Sequence, residues 1–352
     1  MKLSPALAPL SLAYGAAVRS RLALYRRGLL ASHEAGGPVV SVGNLTTGGT
    51  GKTPLVEWVA RLVAGEGLKA CVLTRGYGRA KGRARVIVSD GRGLLADARE
   101  GGDEPRMLAE RLLGRASVVC DADRVAAARW AREVLGAEAF ILDDGFQHLR
   151  LRRDLDIVTV DATAPWGGGH LLPRGRLREP REALRRADCV VITRADLAPD
   201  SAPLREEVRR LSGGRAAVFA SRVKTVALLE LSPAGRSASS ESQSVPQPVG
   251  AFCGLGNPRA FFEHVRRDGH DLRLELTFPD HHPYTREDLE RVGREAERRG
   301  ARSLLTTAKD AVKLRGFEPP LPCFVVETEL VLEEAGALAA LVRAAVARRV
   351  GG

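Results

Sequence analysis

The stretch from Val39 to Thr53, VVSVGNLTTGGTGKT, constrains this chain more than any other. A run of β-branched residues (Val39, Val40, Val42) empties into a glycine-rich turn. Gly51-Lys52-Thr53 then opens a helical pattern of Leu55, Val56, Val59, Leu62 and Val63. Strand, loop and helix in that order predict a phosphate-binding P-loop. Gly48, Gly49 and Gly51 let backbone N–H groups turn inward around a phosphate, where a Cβ would obstruct the approach. The helix N-terminus adds partial positive charge. Lys52 can reach between the β- and γ-phosphates of a nucleotide, and the Thr53 hydroxyl can ligate Mg2+. Thr46 stands where the full pattern wants glycine, so only GGTGKT matches. The plain alternative is a glycine-rich turn with Lys52 on a solvated face. Against it, the chain has seven lysines to 47 arginines, so a lysine at this point is not background composition.

Around this unit apolar strand-like runs alternate with helical segments. Strands are expected at 39–43, 70–74, 117–120, 139–143, 156–160 and 188–193, and helices near 53–64, 103–113, 123–135 and 179–187. Such alternation predicts an α/β fold, a P-loop NTPase-type, mainly parallel sheet with helices on both faces. Ligands then gather at the carboxyl ends of the strands. AFILDDGFQH (139–148) puts Asp143-Asp144 at the end of a buried strand, the Walker-B position. Adjacent carboxylates there suit Mg2+, directly or through water, although a turn or capping pair would read the same. Gly145 permits a tight exit; Gln147 and His148 are polar candidates for the same cleft. Asp103 and Glu104, in GGDEP before a helical run, are good capping and first-turn residues, a role compatible with catalysis. Thr74-Arg75-Gly76-Tyr77-Gly78 brings an arginine and flexible backbone near the nucleotide. In WGGGHLLPRGRLREPR (166–181), Arg174, Arg176, Arg178 and Arg181 could hold a phosphate by paired donors. TRAD (193–196) loosely resembles the base-reading NKxD of GTPases, but without Asn and Lys guanine selectivity does not follow.

With 352 residues, 44% of them hydrophobic and 28% charged, the chain can bury a sizeable core and hold two domains. A net charge of +11 favours an anionic partner: nucleic acid, an acidic membrane surface or a phosphorylated substrate. Five scattered cysteines without metal-type spacing read as reduced core residues of a cytoplasmic protein. Residues 3–18 carry no charge and precede Arg19, Arg21, Arg26 and Arg27. The run is too short and too proline-interrupted to span a bilayer. A signal peptide would put its charge first, where only Lys2 lies. Leu10, Tyr14, Ala17, Val18, Leu22, Tyr25 and Leu29 recur at helical spacing, which fits an amphipathic helix on an anionic membrane face or, equally, one packed on the core.

Three units are therefore expected: an N-terminal amphipathic helix at 1–30, a P-loop domain at 31–215, and a smaller α/β domain at 216–345. In the last, runs at 217–222 and 225–231 would make a hairpin or linker, and 232–250 a mobile Ser/Pro loop. Its strands are expected near 249–253, 273–278, 303–307 and 323–327, with helices near 258–267 and 285–299. FPDHHPY (278–284) is its most chemical stretch, though paired histidines are more often turn residues than ligands. TTAKDAVK (306–313) holds two of the seven lysines.

Together SVGNLTTGGTGKTP, LTRGYGR, GDEP, ILDDGFQH, LLPRGRLREP, FCGLGNPRAF, FPDHHPY and TTAKDAVKL, spanning about 39 to 314, closely resemble the tetraacyldisaccharide 4'-kinases, the lipid A 4'-kinases. Thr46 is usual in that family. The resemblance implies transfer of the ATP γ-phosphate to the 4'-hydroxyl of an acylated glucosamine disaccharide 1-phosphate, giving lipid IVA and ADP. It implies that Thr46, Thr47, Gly48, Gly49, Thr50, Gly51, Lys52 and Thr53 bind nucleotide, and that Thr53, Asp143 and Asp144 serve Mg2+. Asp103 would be the catalytic base supported by His281, and Arg178 would stabilise transferring charge. Glu104 and Gln147 would stand beside substrate or behind the first contacts. It further implies work at the cytoplasmic face of the inner membrane, peripherally, with no nucleic acid and no required protein partner. Two rival readings are a P-loop GTPase or ATPase switch, and a membrane- or nucleic-acid-binding module without catalysis. The basic runs lack the aromatic stacking platforms of the last.

Overall fold

The computed structural model describes residues 5–77, 79, 84–232, 235–238 and 245–350. Gly78 and most of the expected Ser/Pro loop lie outside these. The strands are β1 (Val39–Asn44), β2 (Ala70–Thr74), β3 (Val86–Ser89), β4 (Ala116–Cys120), β5 (Ala139–Asp143), β6 (Leu155–Asp161) and β7 (Cys189–Thr193). There follow β8 (Ala217–Ser232), β9 (Gly235–Ala238), β10 (Val249–Cys253), β11 (Leu272–Thr277), β12 (Ser303–Thr307) and β13 (Cys323–Leu332). The helices are α1 (Ala8–Arg26), α2 (Lys52–Gly65), α3 (Ala98–Gly101), α4 (Asp103–Arg111), α5 (Arg124–Leu135) and α6 (Ala202–Ser212). The second half adds α7 (Pro258–Arg267), α8 (Arg286–Arg298), α9 (Ala308–Ala311) and α10 (Ala335–Val350).

Among the described residues all the strands join one sheet, ordered β11-β10-β12-β13-β8-β7-β6-β1-β5-β2-β4-β3 with β9 beside β8. β1 lies between β5 and β6, parallel to both. Each of β1, β2, β4, β5, β6 and β7 is buried along its whole length. Unbroken apolar runs are what a parallel sheet covered on both faces demands. Two departures from the expected order have physical causes. Residues 217–222 and 225–231 form one strand rather than the arms of a hairpin. β8 pairs parallel with β7 through Cys189↔Ala217 to Ile192↔Ala220, then antiparallel with β13 from Ser221 to Glu230. The polar interval Ser221-Arg222 marks the change of partner, not a turn. Residues 181–186 form a 3-10 helix instead of an α-helix, a short connector bounded by Pro180 and by the extended Ala187 before β7.

The chain also contains elements that its pattern did not announce. The edge strand β3 pairs antiparallel with β4. α10 packs Leu338, Val342, Ala345 and Val346 into the core with Leu55, Val56, Val59 and Val63 of the P-loop helix. The N-terminal stripe divides: Tyr14, Val18, Leu22 and Tyr25 are half-buried against the first half, whereas Leu10, Ala17 and Leu29 are exposed. Gly15 makes the close approach possible, since a Cβ there would meet Leu171 Cδ1 at 2.8 Å. The Ser11 hydroxyl donates to Leu171 O at 2.9 Å and the Tyr14 hydroxyl to Arg178 O at 2.9 Å.

Leu338 is fully buried at the α10 seam. Leu338→Ala should cost about 2–5 kcal/mol through lost burial and a residual cavity. Urea unfolding should show a lower midpoint at unchanged slope, with turnover per folded molecule retained. A midpoint equal to wild type would show that α10 is not part of the cooperative core.

Candidate active site

The phosphate loop is shaped by backbone that only glycine takes easily. Gly48 has φ 105° and Gly51, which opens α2, has φ 73°. Any Cβ on Gly48 would lie 1.9 Å from the Arg176 guanidinium. That arginine clamps the loop: its Nε donates to Thr47 O at 3.0 Å, and its carbonyl accepts from Thr47 N at 2.7 Å. Thr46 and Thr50 are buried. Thr46 O accepts from Asn44 Nδ2 at 2.8 Å, and the Thr50 hydroxyl lies 2.9 Å from that of Thr159. The Thr46 carbonyl and the Thr50 side chain therefore hold the loop's shape, leaving backbone N–H groups for an anion. Arg194 of TRAD donates to Gly49 O at 3.1 Å and pairs with Asp161, so it braces the loop.

A knot of charge lies behind the loop. Lys52 Nζ donates to Asn44 Oδ1 at 3.2 Å and stands 3.5 Å from Asp144 Oδ1. Arg178 grips Asp144 with two bonds of 2.7 Å and also reaches Asn44 Oδ1. Burial pushes the Asp144 carboxyl up, but Lys52 and Arg178 outweigh it and hold the group well below the usual carboxylate range. Asp143 lacks such help. Burial raises it to about 6, Glu104 and Asp144 add to the rise, and Lys52 opposes it. Its one described hydrogen-bond donor is Thr74, at 2.9 Å. Asn44, buried at the end of β1, was not among the residues expected here; a polar residue closing an apolar strand is its only trace in the sequence. Gln147 Nε2 donates to Asn44 O at 3.0 Å, and Gln147 Oε1 is buried without a partner.

The third group spans the two halves of the sheet. His281 Nδ1 lies 2.9 and 3.0 Å from the Asp103 carboxylate oxygens. These residues stand 178 positions apart in the chain. His281 has φ 62°, a left-handed backbone that costs a non-glycine residue about 1–3 kcal/mol. Burial pushes Asp103 up, but the His281 bond and the charges of Lys309 and Lys313 win and hold it at about 2. The same bond raises His281 above its ordinary 6.5. Glu104 accepts from the Thr53 hydroxyl at 3.4 Å and from Lys309 Nζ at 2.7 Å. A cleft of about 370 Å³ is lined by residues 46–53, Glu104, Asp143, Asp144, Arg178 and His281. Asp103 sits just behind the lining, 5% exposed. Gln147 lies to one side, against Asn44.

These residues fit a nucleotide and a divalent cation. The glycine cradle faces an anion, and Asp143 beside Glu104 and Asp144 is a carboxylate whose ionisation a cation would restore. No group of three or more His, Cys, Asp or Glu that could hold a metal exists among the described residues. Mg2+ would therefore rest on few protein oxygens, as suits an ion that keeps water and phosphate ligands.

A family model for the tetraacyldisaccharide-1-P 4'-kinases matches residues 3–347. The chain belongs to that family. Among its relatives, the tetraacyldisaccharide 4'-kinase of Anaeromyxobacter sp. (strain K) is 48% identical over 311 residues, covering 87% of this chain and 81% of that protein. The enzyme of that name from Geobacter metallireducens is 44% identical over 312 residues, covering 88% of each. Among solved structures, LpxK of Aquifex aeolicus in complex with ATP superposes with a TM-score of 0.73 at 33% identity, over 97% of this chain and 98% of that one. Fold and family membership thus agree with the P-loop reading, and the chain is an ATP-dependent phosphotransferase.

The Asp103–His281 pair makes stability depend on pH. His281 holds its proton more tightly folded than unfolded, so its contribution is complete below 6.5 and is lost as pH rises through the folded value. Asp103 contributes above its ordinary 3.8, and this is lost as pH falls towards about 2. The stability gap between wild type and His281→Gln, read from urea midpoints, should be widest between 3.8 and 6.5 and close on the alkaline side. A gap that does not vary with pH would refute the ion pair.

Proposed function

We propose that this chain phosphorylates the 4'-hydroxyl of a tetraacyldisaccharide 1-phosphate with ATP, using Asp103 as base. The observation that carries the assignment is the bond from His281, in the lining of the phosphate cleft, to Asp103 just behind it. A carboxylate so held is oriented to take the hydroxyl proton as that oxygen attacks phosphorus in line, with ADP leaving. Lys52 and the loop N–H groups of residues 46–53, apart from that of Thr47, which Arg176 O takes, would hold the triphosphate. Bound Mg2+, on Thr53 and Asp143 with Asp144 alongside, would neutralise phosphate charge. Arg178 is fixed by Asp144 and presents its remaining charge to the same cleft, where charge develops in transfer. Gln147 Oε1, buried and unpartnered, offers an acceptor to a sugar hydroxyl. Glu104 would orient Thr53 and carry the contact to the second half.

Three units, 1–30, 31–215 and 216–345, would divide this labour: membrane contact, phosphate chemistry, and delivery of His281 on closure, which excludes water. No helix among the described residues is long and apolar enough to cross a membrane. α1 nevertheless exposes Leu10 at 58% and Leu12 at 73%, with Arg19, Arg26 and Arg27 exposed behind them. Apolar tips with arginines behind suit a helix resting in an anionic interface. We therefore place the enzyme peripherally on the cytoplasmic face of the inner membrane, where ATP is, acting without a protein partner.

Transfer of 32P from γ-labelled ATP to tetraacyldisaccharide 1-phosphate in detergent micelles tests the reaction. Asp103→Ala should lower the rate by about 100- to 10,000-fold while ATP binding persists. Near-wild-type transfer by this variant would remove Asp103 from the role of base. Separately, Leu10→Ser with Leu12→Ser should reduce flotation with anionic vesicles and leave turnover in micelles intact. Unchanged flotation would exclude α1 as the contact.

A further inference from the structure

Five side chains form a ring across the cleft. Asp103 and Glu104 are neighbours at the start of α4, Asp280 and His281 are neighbours in the loop after β11, and Lys309 stands in α9. His281 Nδ1 meets Asp103 at 2.9 Å, and its Nε2 lies 3.8 Å from Asp280 Oδ1. Lys309 Nζ donates to that same Asp280 oxygen at 2.9 Å and to Glu104 Oε1 at 2.7 Å. The loop carrying His281 is therefore tied to α4 twice, once through the imidazole and once through the ammonium.

The second tie answers two needs. Lys309 is only 8% exposed, and an ammonium in that position requires the carboxylates on either side of it. His281 keeps a left-handed backbone that neighbours must over-determine, and Asp280, the residue before it, is what Lys309 holds. The nearby Lys313 is placed differently. It pairs with Asp310 at 3.0 Å, one turn away on its own segment, approaches Asp103 at 3.5 Å, and meets the histidine loop at Tyr284, 5.2 Å from the ring centroid, rather than at Asp280.

We propose that Lys309 is a positioning residue of the phosphoryl-transfer site, joining Glu104 to Asp280 and so seating His281 against Asp103. The inference rests on the roles given above to Asp103 and His281. Misplacement of a catalytic group by about 1 Å can cost about 100-fold, so Lys309→Ala should lower kcat by about 10- to 100-fold with little change in KM for the lipid. Lys309→Arg should recover part of the loss, because a guanidinium can also span two carboxylates.

The deciding measurement is the same substitution in a His281→Ala background. There it should cost less than about twofold, since the seat is already vacant. Effects that simply multiply would overturn the inference, as would an unchanged kcat in the single variant. Thermal unfolding is followed for each protein. If Lys309→Ala does not fold, Asp280→Asn, which leaves Lys309 on Glu104, should show the same dependence on His281. Absence of lipid phosphorylation by wild type would overturn the underlying reading of the reaction, and this inference with it. Multiplying effects would overturn the inference alone.

Discussion

Anions crowded at the mouth of a buried sheet must find cations, and this requirement organises the cleft. Asp143 and Asp144 end β5 side by side, with Glu104 close enough to raise the first of them. Arg178 and Lys52 balance one carboxylate, and Lys309 balances Glu104 together with Asp280. What remains is Asp143, backed by a threonine hydroxyl, and the open glycine cradle. Among the described ion pairs, Asp144, Glu104 and Asp280 each hold a cation of the protein, whereas Asp143, where nucleotide and metal belong, enters none. Such partial neutralisation is a form of preorganisation, because the residual charge is fixed before any ligand arrives.

Much of the fold was legible, and the reason is burial. Each central parallel strand is covered on both faces, so its sequence is an apolar run whose ends fall within a residue or two of the observed ones. β8 was not legible as one strand. Its first part is half-buried to buried beside β7, residues 222–226 alternate between exposed and half-buried, and the end returns to half-buried and buried positions. A change of environment within one element looks, in sequence, like two elements. α10 was missed for a related reason: its alanines and arginines give a weak stripe, and only contact with Val56 and Val59 reveals a core-facing side.

The site divides in the same way. Lys52, Thr53, Asp143 and Asp144 are local to the P-loop and the strand beside it, and spacing alone marks them. The meeting of Asp103 with His281 has no local signature, and only a resemblance across the whole chain connected them. Asn44 escaped because a buried amide at a strand end resembles a turn residue, and Arg176, expected only as one of four arginines for a phosphate, instead clamps the backbone of the loop. Lys309 was conspicuous as a rare lysine, but its two carboxylate partners come from segments remote in sequence.

β8 belongs to both halves of the sheet, hydrogen-bonded to β7 at one end and to β13 at the other, with an irregular register near Glu327 and Thr328. A strand anchored on both flanks resists separation but yields to torsion, so the two halves are coupled as the ends of a torsion bar. Asp103 and His281, one from each half, therefore meet across a joint that β8 spans with hydrogen bonds on both flanks, and the angle at which they meet is set by the twist of the sheet.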